Sequence, residues 1–208
     1  MLGISWHKNF KNIKAMRTFL YTLLFVFVSE VGFSQIIQLS ESKMIQTSDN
    51  IIKGTVFSSK SEWTADKSYI FTFTRLVVDE VFTGDHIIGD TITIVAPGGY
   101  DPVTDIGLVV SHQAVFEPGE ETIVFLKRAD GYIDAVDYRV LKNDSRFPAR
   151  LERVNSYHLG KRKIVRGDAA NPSLIVDPNL RRTLELEKHN IELRNEIKRL
   201  ENRTPVRK

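Results

Sequence analysis

One run of fourteen residues, 69–82, constrains the fold more than any other part of the chain. Successive side chains of a strand point to opposite faces of the sheet, and here both faces are apolar or β-branched. One face would carry every second residue from Ile70 to Val78, and the other would carry Phe71, Phe73 and Val77. A strand this long, with two faces to cover, indicates a sheet that bends around a barrel.

Shorter β-type segments flank this run, and turn residues rather than helical patterns separate them. They are residues 51–57, 91–96, 107–111, 122–126 and 132–136. Gly54 predicts a bulge or bend inside its strand, and Pro97-Gly98-Gly99 predicts a sharp stop after residue 96. We therefore predict a mainly β fold over residues 50–142, an OB-like antiparallel barrel of five to six strands, followed by a C-terminal helix.

The regions next to this domain are less regular. Residues 35–49 are expected to be a lead-in, and residues 143–167 a basic extension with one further strand at 161–166. Residues 168–179 contain two prolines and are expected to be a linker, whose apolar Leu174-Ile175-Val176 docks on the barrel.

Residues 180–204 predict a charged amphipathic helix with Asn179 as its N-cap. Leucine recurs every seven residues, so a short heptad repeat can be written. The positions expected to contact a partner are Leu186, Asn190, Leu193, Ile197 and Leu200. Three heptads are few for a coiled coil, and three alternatives stay open: a homodimer, docking on the chain's own domain, and binding of a different protein.

The N-terminus predicts a cleavable signal peptide over residues 1–34. Arg17 precedes ten residues, 19–28, with one polar member, and Gly32-Phe33-Ser34 places small residues before Gln35. A membrane anchor is the alternative, but a spanning helix needs about 20 apolar residues, and Glu30 interrupts this run. Met16 is a second candidate for the start of translation. We expect a secreted, periplasmic or cell-surface protein without a membrane span after cleavage.

The chain has no cysteine. It therefore forms no disulfide and carries no lipid on an N-terminal cysteine, so we do not expect a lipoprotein. Thiol nucleophiles and thiolate zinc sites are excluded for the same reason.

Charge is divided unevenly along the exported chain. Residues 35–137 hold 7 basic and 16 acidic side chains, whereas residues 138–208 hold 18 basic and 9 acidic ones, so the net charge is zero. A neutral total argues against general nucleic-acid binding, which needs a basic surface. The divided charge is expected either to bring the basic half back onto the acidic half or to serve as an interaction tail.

The sequence contains no recognisable catalytic motif. The histidines of the exported chain, His86, His112, His158 and His189, are widely separated. A nucleophile elbow, a phosphate-binding loop and a dinucleotide fingerprint are all missing. The carboxylates at 79–80, 101, 105 and 120–121 lack the spacing of a calcium loop, so we expect isolated surface carboxylates. We predict no enzyme, no cofactor and no metal site.

Two aromatic residues, Trp63 and Tyr100, are set in polar surroundings. They are candidates for contact with a protein partner. The alternative is that they cap the ends of the barrel.

The order of motifs from residue 49 to about 140 resembles a domain found in exported bacterial proteins. The motifs are Ile51-Ile52-Lys53-Gly54-Thr55-Val56, Trp63, Val81-Phe82-Thr83-Gly84, Pro97-Gly98-Gly99 and Phe116-x-Pro118-Gly119-Glu120-Glu121. That domain is similar to the OB-type barrels of netrin modules and tissue inhibitors of metalloproteinases, so the resemblance implies a barrel. The inhibitors place an N-terminal cysteine at the protease zinc, and because this chain has none, inhibition is not implied.

These features predict an exported, non-enzymatic interaction module that binds another envelope or secreted protein. One alternative is an envelope or adhesion component that self-associates through the C-terminal helix. Another is an enzyme that uses the scattered carboxylates, or else an accessory domain of a secreted peptidase system.

Overall fold

The computed structural model describes residues 39–130, 132–133, 136–142, 144–169, 171–177 and 182–203. The expected signal peptide lies outside the described residues. The helices are α1 (Glu41–Thr47), α2 (Arg139–Lys142) and α3 (Leu186–Arg203), with a 3-10 turn at Tyr157–Gly160. The strands are β1 (Asn50–Trp63), β2 (Ile70–Thr83), β3 (Thr91–Pro97), β4 (Gly99–Asp101), β5 (Ile106–Leu108), β6 (Glu121–Arg128), β7 (Tyr132–Ile133), β8 (Val136–Asp137), β9 (Glu152–Val154), β10 (Lys161–Val165), β11 (Leu174–Asp177) and β12 (Arg182–Glu185).

Eight strands pair in one sheet in the order β1-β2-β3-β9-β6-β10-β11-β12, and β1 also pairs with β6. The first five of these strands therefore pair in a closed ring, in which β3 and β9 run parallel. Strands β4 and β5 form a separate ribbon, as do β7 and β8. The prediction of a mainly β fold with a C-terminal helix is confirmed. The expected count of five to six strands is wrong, because the described residues place eight in the main sheet.

Strand β1 is long and pairs with two neighbouring strands, β2 and β6. Its first half pairs with both β2 and β6, and its second half pairs with β2. The register with β2 shifts between Lys53 and Gly54, so the irregularity expected at this glycine is present. A Cβ on Gly54 would lie 2.1 Å from Leu76 Cδ2 and 2.4 Å from the Val77 carbonyl oxygen. Only glycine fits without movement of β2.

The two faces of β2 enter two different apolar clusters, as its alternation predicts. Leu76 and Val78 pack inside the ring. Phe71 and Phe73 pack on the outside, under a cover formed by residues 138–151. The covering residues are Tyr138, Leu141, Phe147 and Leu151. The loop between β6 and β9 thereby shields part of the outer surface of β2 and β3.

A third cluster holds the C-terminal helix to the domain. Leu193 and Ile197 of α3 pack with Met44 of α1, Phe125 of β6 and Ile175 of β11. Contact with apolar strands explains the helical periodicity seen in the sequence, since an amphipathic helix buries one face.

Three element boundaries differ from the sequence-based expectation. The C-terminal helix begins at Leu186 rather than at residue 180, because residues 182–185 pair with β11. β11 itself occupies the expected linker, where Ile175 is fully buried. Pairing with a buried strand overrides local helix propensity. The lead-in contains α1, whose N-cap Ser40 accepts a hydrogen bond from the Lys43 amide.

The basic C-terminal half folds back on the acidic half. Ion pairs join Arg150 to Asp85, Lys161 to Glu120, Arg162 to Glu41, Lys163 to Glu117, Arg166 to Glu121 and Arg194 to Glu80. Of the two expectations for the divided charge, intramolecular pairing is the one that these contacts bear out.

Candidate functional site

The β4–β5 ribbon and the residue after it, residues 99–109, form a projecting hairpin that we call the wing. Pro97 ends β3, and Gly98 and Gly99 follow with φ of 96° and 144°. A Cβ on Gly99 would lie 2.3 Å from Ser61 Oγ and 2.6 Å from Thr72 Oγ1. The stop predicted from Pro97-Gly98-Gly99 is therefore a turn that lets the wing start directly against β1 and β2.

Hydrogen bonds from β1 hold the base of the wing. The Trp63 indole N–H donates to Asp101 Oδ2 at 2.8 Å, and the Tyr100 amide donates to Ser61 Oγ at 3.2 Å. Asp101 also accepts from Thr104 Oγ1 and from the Val103 amide. These bonds, with that from Thr104 the largest contribution, lower the pKa of Asp101. The carboxylate thus stays charged and organises the turn between β4 and β5.

Large apolar side chains of the wing face solvent. Their exposed fractions are 53% for Tyr100, 90% for Val103, 50% for Ile106, 36% for Leu108 and 94% for Val109. The Tyr100 hydroxyl donates to Asp105 Oδ1 at 2.6 Å, which raises the tyrosine pKa. Trp63 and Tyr100, the two aromatic residues singled out in the sequence, therefore lie together at this hairpin. The exposed aliphatic residues of the wing, Val103, Ile106, Leu108 and Val109, carry no sequence motif, so their exposure is known only from the structure.

The predicted helix positions lie elsewhere. Leu193 and Ile197 are buried in the domain's own core, and Leu186, Asn190 and Leu200 are half-buried. The heptad positions therefore contact α1 and the sheet rather than the wing.

A cleft of about 530 Å³, which we call the outer groove, lies on the outer surface of β1, β2 and β3. Its lining residues are Ser58, Lys60, Glu62, Phe73, Arg75, Thr91, Thr93, Arg146, Phe147 and Pro148. Phe147 stacks on Phe73 with ring centroids 4.2 Å apart, so the loop before β9 forms one wall. Lys60 pairs with Phe73 across β1 and β2, whereas Ser61 pairs with Thr72. Because strand side chains alternate, the outer groove and the wing lie on opposite faces of this ribbon.

A second cleft of about 320 Å³ shares Thr91, Thr93 and Pro148 with the outer groove. Glu152, which is buried, is part of its lining. Glu152 Oε1 binds Asn50 Nδ2 at 2.9 Å, His86 Nε2 at 2.9 Å and Arg150 Nη2 at 2.8 Å. Arg150 also donates two hydrogen bonds to Asp85, which lowers the pKa of Asp85 to about 2. This network joins β9 to the turn after β2. No sequence pattern marks this network, because its members are far apart in the chain.

A buried arginine lies under the C-terminal helix. Arg162 Nε is 3.3 Å from Asp177 Oδ2, and Arg162 Nη1 is 3.3 Å from Glu41 Oε1 and 3.2 Å from His189 Nε2. Its guanidinium lies 4.5 Å from the centre of the Phe125 ring. Burial raises the pKa of Glu41, and Arg162 opposes that shift. The sequence placed Arg162 only in a basic extension, since a charge run is normally solvated.

The carboxylates considered for calcium lie beside donors or cations of the chain. Glu80 pairs with Arg194, Glu120 with Lys161 and Glu121 with Arg166. Asp79 accepts a hydrogen bond from Thr55 Oγ1. Among the described residues, no three histidine or carboxylate side chains come together in a way that would hold a metal ion.

No family model, curated protein or solved structure matches the chain. The resemblance to netrin-type domains thus stays a prediction from the sequence motifs. Within the described part of the chain, no helix combines the length and apolar character needed to cross a membrane.

Proposed function

We propose that this protein is an exported, non-enzymatic interaction module whose wing contacts another envelope or secreted protein. The observation that carries the proposal is the exposure of Val103 and Val109, at 90% and 94%, on a hairpin that is anchored at its base. Contiguous exposed apolar side chains often mark protein-binding surfaces. A preorganised hairpin also loses little conformational freedom on binding.

The closed ring of five strands supports an OB-like barrel as the scaffold of this module. In such a scaffold, loops and hairpins at the barrel ends differ while the strands hold them in place. The wing begins directly after β3, at the end of a strand, which is where a variable loop of such a barrel is expected.

The experiment is a capture assay from envelope and secreted fractions. Val109→Asp places a charge on the wing, and Ile191→Asp places the same charge on the exposed surface of α3, where Ile191 is 54% exposed. We expect the partner to be captured by the wild-type protein and by Ile191→Asp, and to be lost with Val109→Asp. Equal capture by all three proteins would remove the wing from the proposal.

Self-association through α3 is a second candidate, favoured by the half-exposed Leu186 and Leu200. A coiled coil through the full heptad would also need Leu193 and Ile197, which are buried in the domain. The helix would then have to leave its own core, so we rank this function below wing-mediated binding.

A further inference from the structure

The outer groove presents an arginine, Arg75, that has no acidic partner among the residues that the structure describes. Lys60 is paired with Glu62 at 2.9 Å, and Arg146 donates to Asp144. Arg75 is exposed, and within the described residues its side chain makes no ion pair or hydrogen bond. Its guanidinium lies 5.6 Å from the centre of the Phe57 ring. A planar guanidinium held over a ring keeps its N–H edge available for a carboxylate.

The rest of the groove offers hydroxyl groups next to this cation. Thr93 lies opposite Arg75 in the β2–β3 register, and Thr91 lies two residues along the same face of β3. Ser58 lies opposite Arg75 on β1. Hydroxyl groups both donate and accept hydrogen bonds, so the three together suit the alternating N–H and C=O groups of an extended peptide.

The positive charge of the outer groove favours a negatively charged ligand. Of the three cations that line the groove, Lys60 pairs with Glu62 and Arg146 pairs with Asp144. Among the described residues, Arg75 is left as the one lining cation without an ion pair. The chain's own terminal segments do not complement it, since residues 1–38 contain one acidic residue, Glu30, and residues 204–208 contain none. The complementary ligand therefore carries carboxylates, and these two segments supply few of them.

The aromatic residues of the groove favour a peptide over a nucleic acid. Binding of single-stranded nucleic acid depends on bases that stack on exposed rings. Phe73 is buried and its ring stacks on Phe147 at an interplanar angle of 12°. Phe57, which is exposed beside the groove, already has Arg75 over its ring.

We propose that the outer groove is a second binding site, separate from the wing, for an extended acidic segment of a protein, and that Arg75 binds one of its carboxylates. The Thr91 and Thr93 hydroxyls bind the main chain of that segment. Because the groove and the wing lie on opposite faces of the β1–β2 ribbon, either site can function without the other.

The test is a titration of the protein, purified after export, with a fluorescent hexaglutamate peptide, with hexaglutamine as the uncharged control. Loss of a charged hydrogen-bonded pair corresponds to about a tenfold or larger loss of affinity. We expect this loss for Arg75→Gln, and a smaller loss for Thr93→Val, which keeps the shape of the side chain. Arg166→Gln, which changes the exposed arginine directly after β10, is the matched control and should bind hexaglutamate as the wild type does.

Amide chemical shifts locate the bound peptide. Perturbations at Arg75, Thr91 and Thr93 support the proposal, whereas perturbations confined to other surfaces would overturn it. Equal affinity of Arg75→Gln and wild type would overturn it as well. If a thymidine oligonucleotide bound in the same groove more tightly than hexaglutamate, the proposed acidic peptide would be wrong and the ligand would be a nucleic acid.

Discussion

The guanidinium of Arg162 lies 3.3 Å from the carboxylate of Asp177, and each side chain is only 1% exposed. Arg162 lies in β10, and the side chains that contact its guanidinium belong to α1, β11 and α3. The buried Arg162 side chain therefore links strands β10 and β11 to helices α1 and α3. Burial of such charges is tolerated only when they are paired.

We expect Arg162→Met to destabilise the protein strongly. The methionine fills much of the space, but Asp177 and Glu41 lose their cation, and breaking a buried pair in this way costs about 3–5 kcal/mol. Denaturant unfolding measures the change in the free energy of unfolding. Arg166→Met is the control, since its side chain is 60% exposed and such surface pairs contribute about 0–1 kcal/mol. An equal effect of both substitutions would show that burial of Arg162 is unimportant.

Alternation and turn residues were sufficient to predict most of the strands and the bulge at Gly54. The two faces of β2 were predicted because a period of two appears directly in the sequence. The buried position of Arg162 was not predictable, since it depends on the pairing of β10 with β6 and β11. The outer groove was missed for the same reason, because Phe147 reaches Phe73 only after the β6–β9 loop folds over the sheet.

Acid should weaken the contact between the β2–β3 turn and the segment before β9. The hydrogen bonds from Arg150 lower the pKa of Asp85 from 3.8 to about 2. A carboxyl group with a lowered pKa in the folded state stabilises the fold above its ordinary pKa, and this stabilisation is lost as the pH falls from about 4 to about 2. We expect the free energy of unfolding of Asp85→Asn to fall less between pH 5 and pH 2 than that of the wild type.

The control for this pH dependence is Glu187→Gln, which removes an exposed carboxylate outside the network. It should retain the wild-type profile. If Asp85→Asn and the wild type lose stability in parallel over this range, the Arg150–Asp85 contact is not what acid disrupts.

Gly54→Ala should be destabilising although it adds one methyl group. The new Cβ would contact Leu76 and the Val77 carbonyl well inside van der Waals distance, and overpacking of this kind costs about 1–3 kcal/mol. Gly107→Ala is the control, because its Cβ would lie 3.6 Å from its nearest neighbours. We expect that control to change the free energy of unfolding by about 0.5 kcal/mol or less. Thermal and denaturant unfolding of both variants measure the difference.

The C-terminal helix should behave as part of the domain. Leu193 is fully buried, so Leu193→Ala should cost about 2–5 kcal/mol. Ile191→Ala on the exposed side should change stability by about 0.5 kcal/mol or less. Light scattering should give a monomer at micromolar concentration. A dimer that Leu193→Ala dissociates without loss of monomer stability would instead assign the helix to self-association.

The Trp63–Asp101 hydrogen bond should control the order of the wing rather than the stability of the whole fold. Trp63→Phe keeps an aromatic ring but removes the indole N–H that donates to Asp101. The pairing of β1 with β2 remains, so we expect the midpoint of global unfolding to change little. Amide hydrogen exchange within residues 99–109 should accelerate severalfold, because local opening loses one hydrogen bond that resists it.

Tyr69→Phe provides a control, since Tyr69 is an exposed aromatic residue outside the wing. If the wing exchanges at the same rate in Trp63→Phe and in the wild type, the bond does not hold the hairpin in place. The preorganisation that supports partner binding must then come from other contacts, such as the Tyr100–Ser61 hydrogen bond.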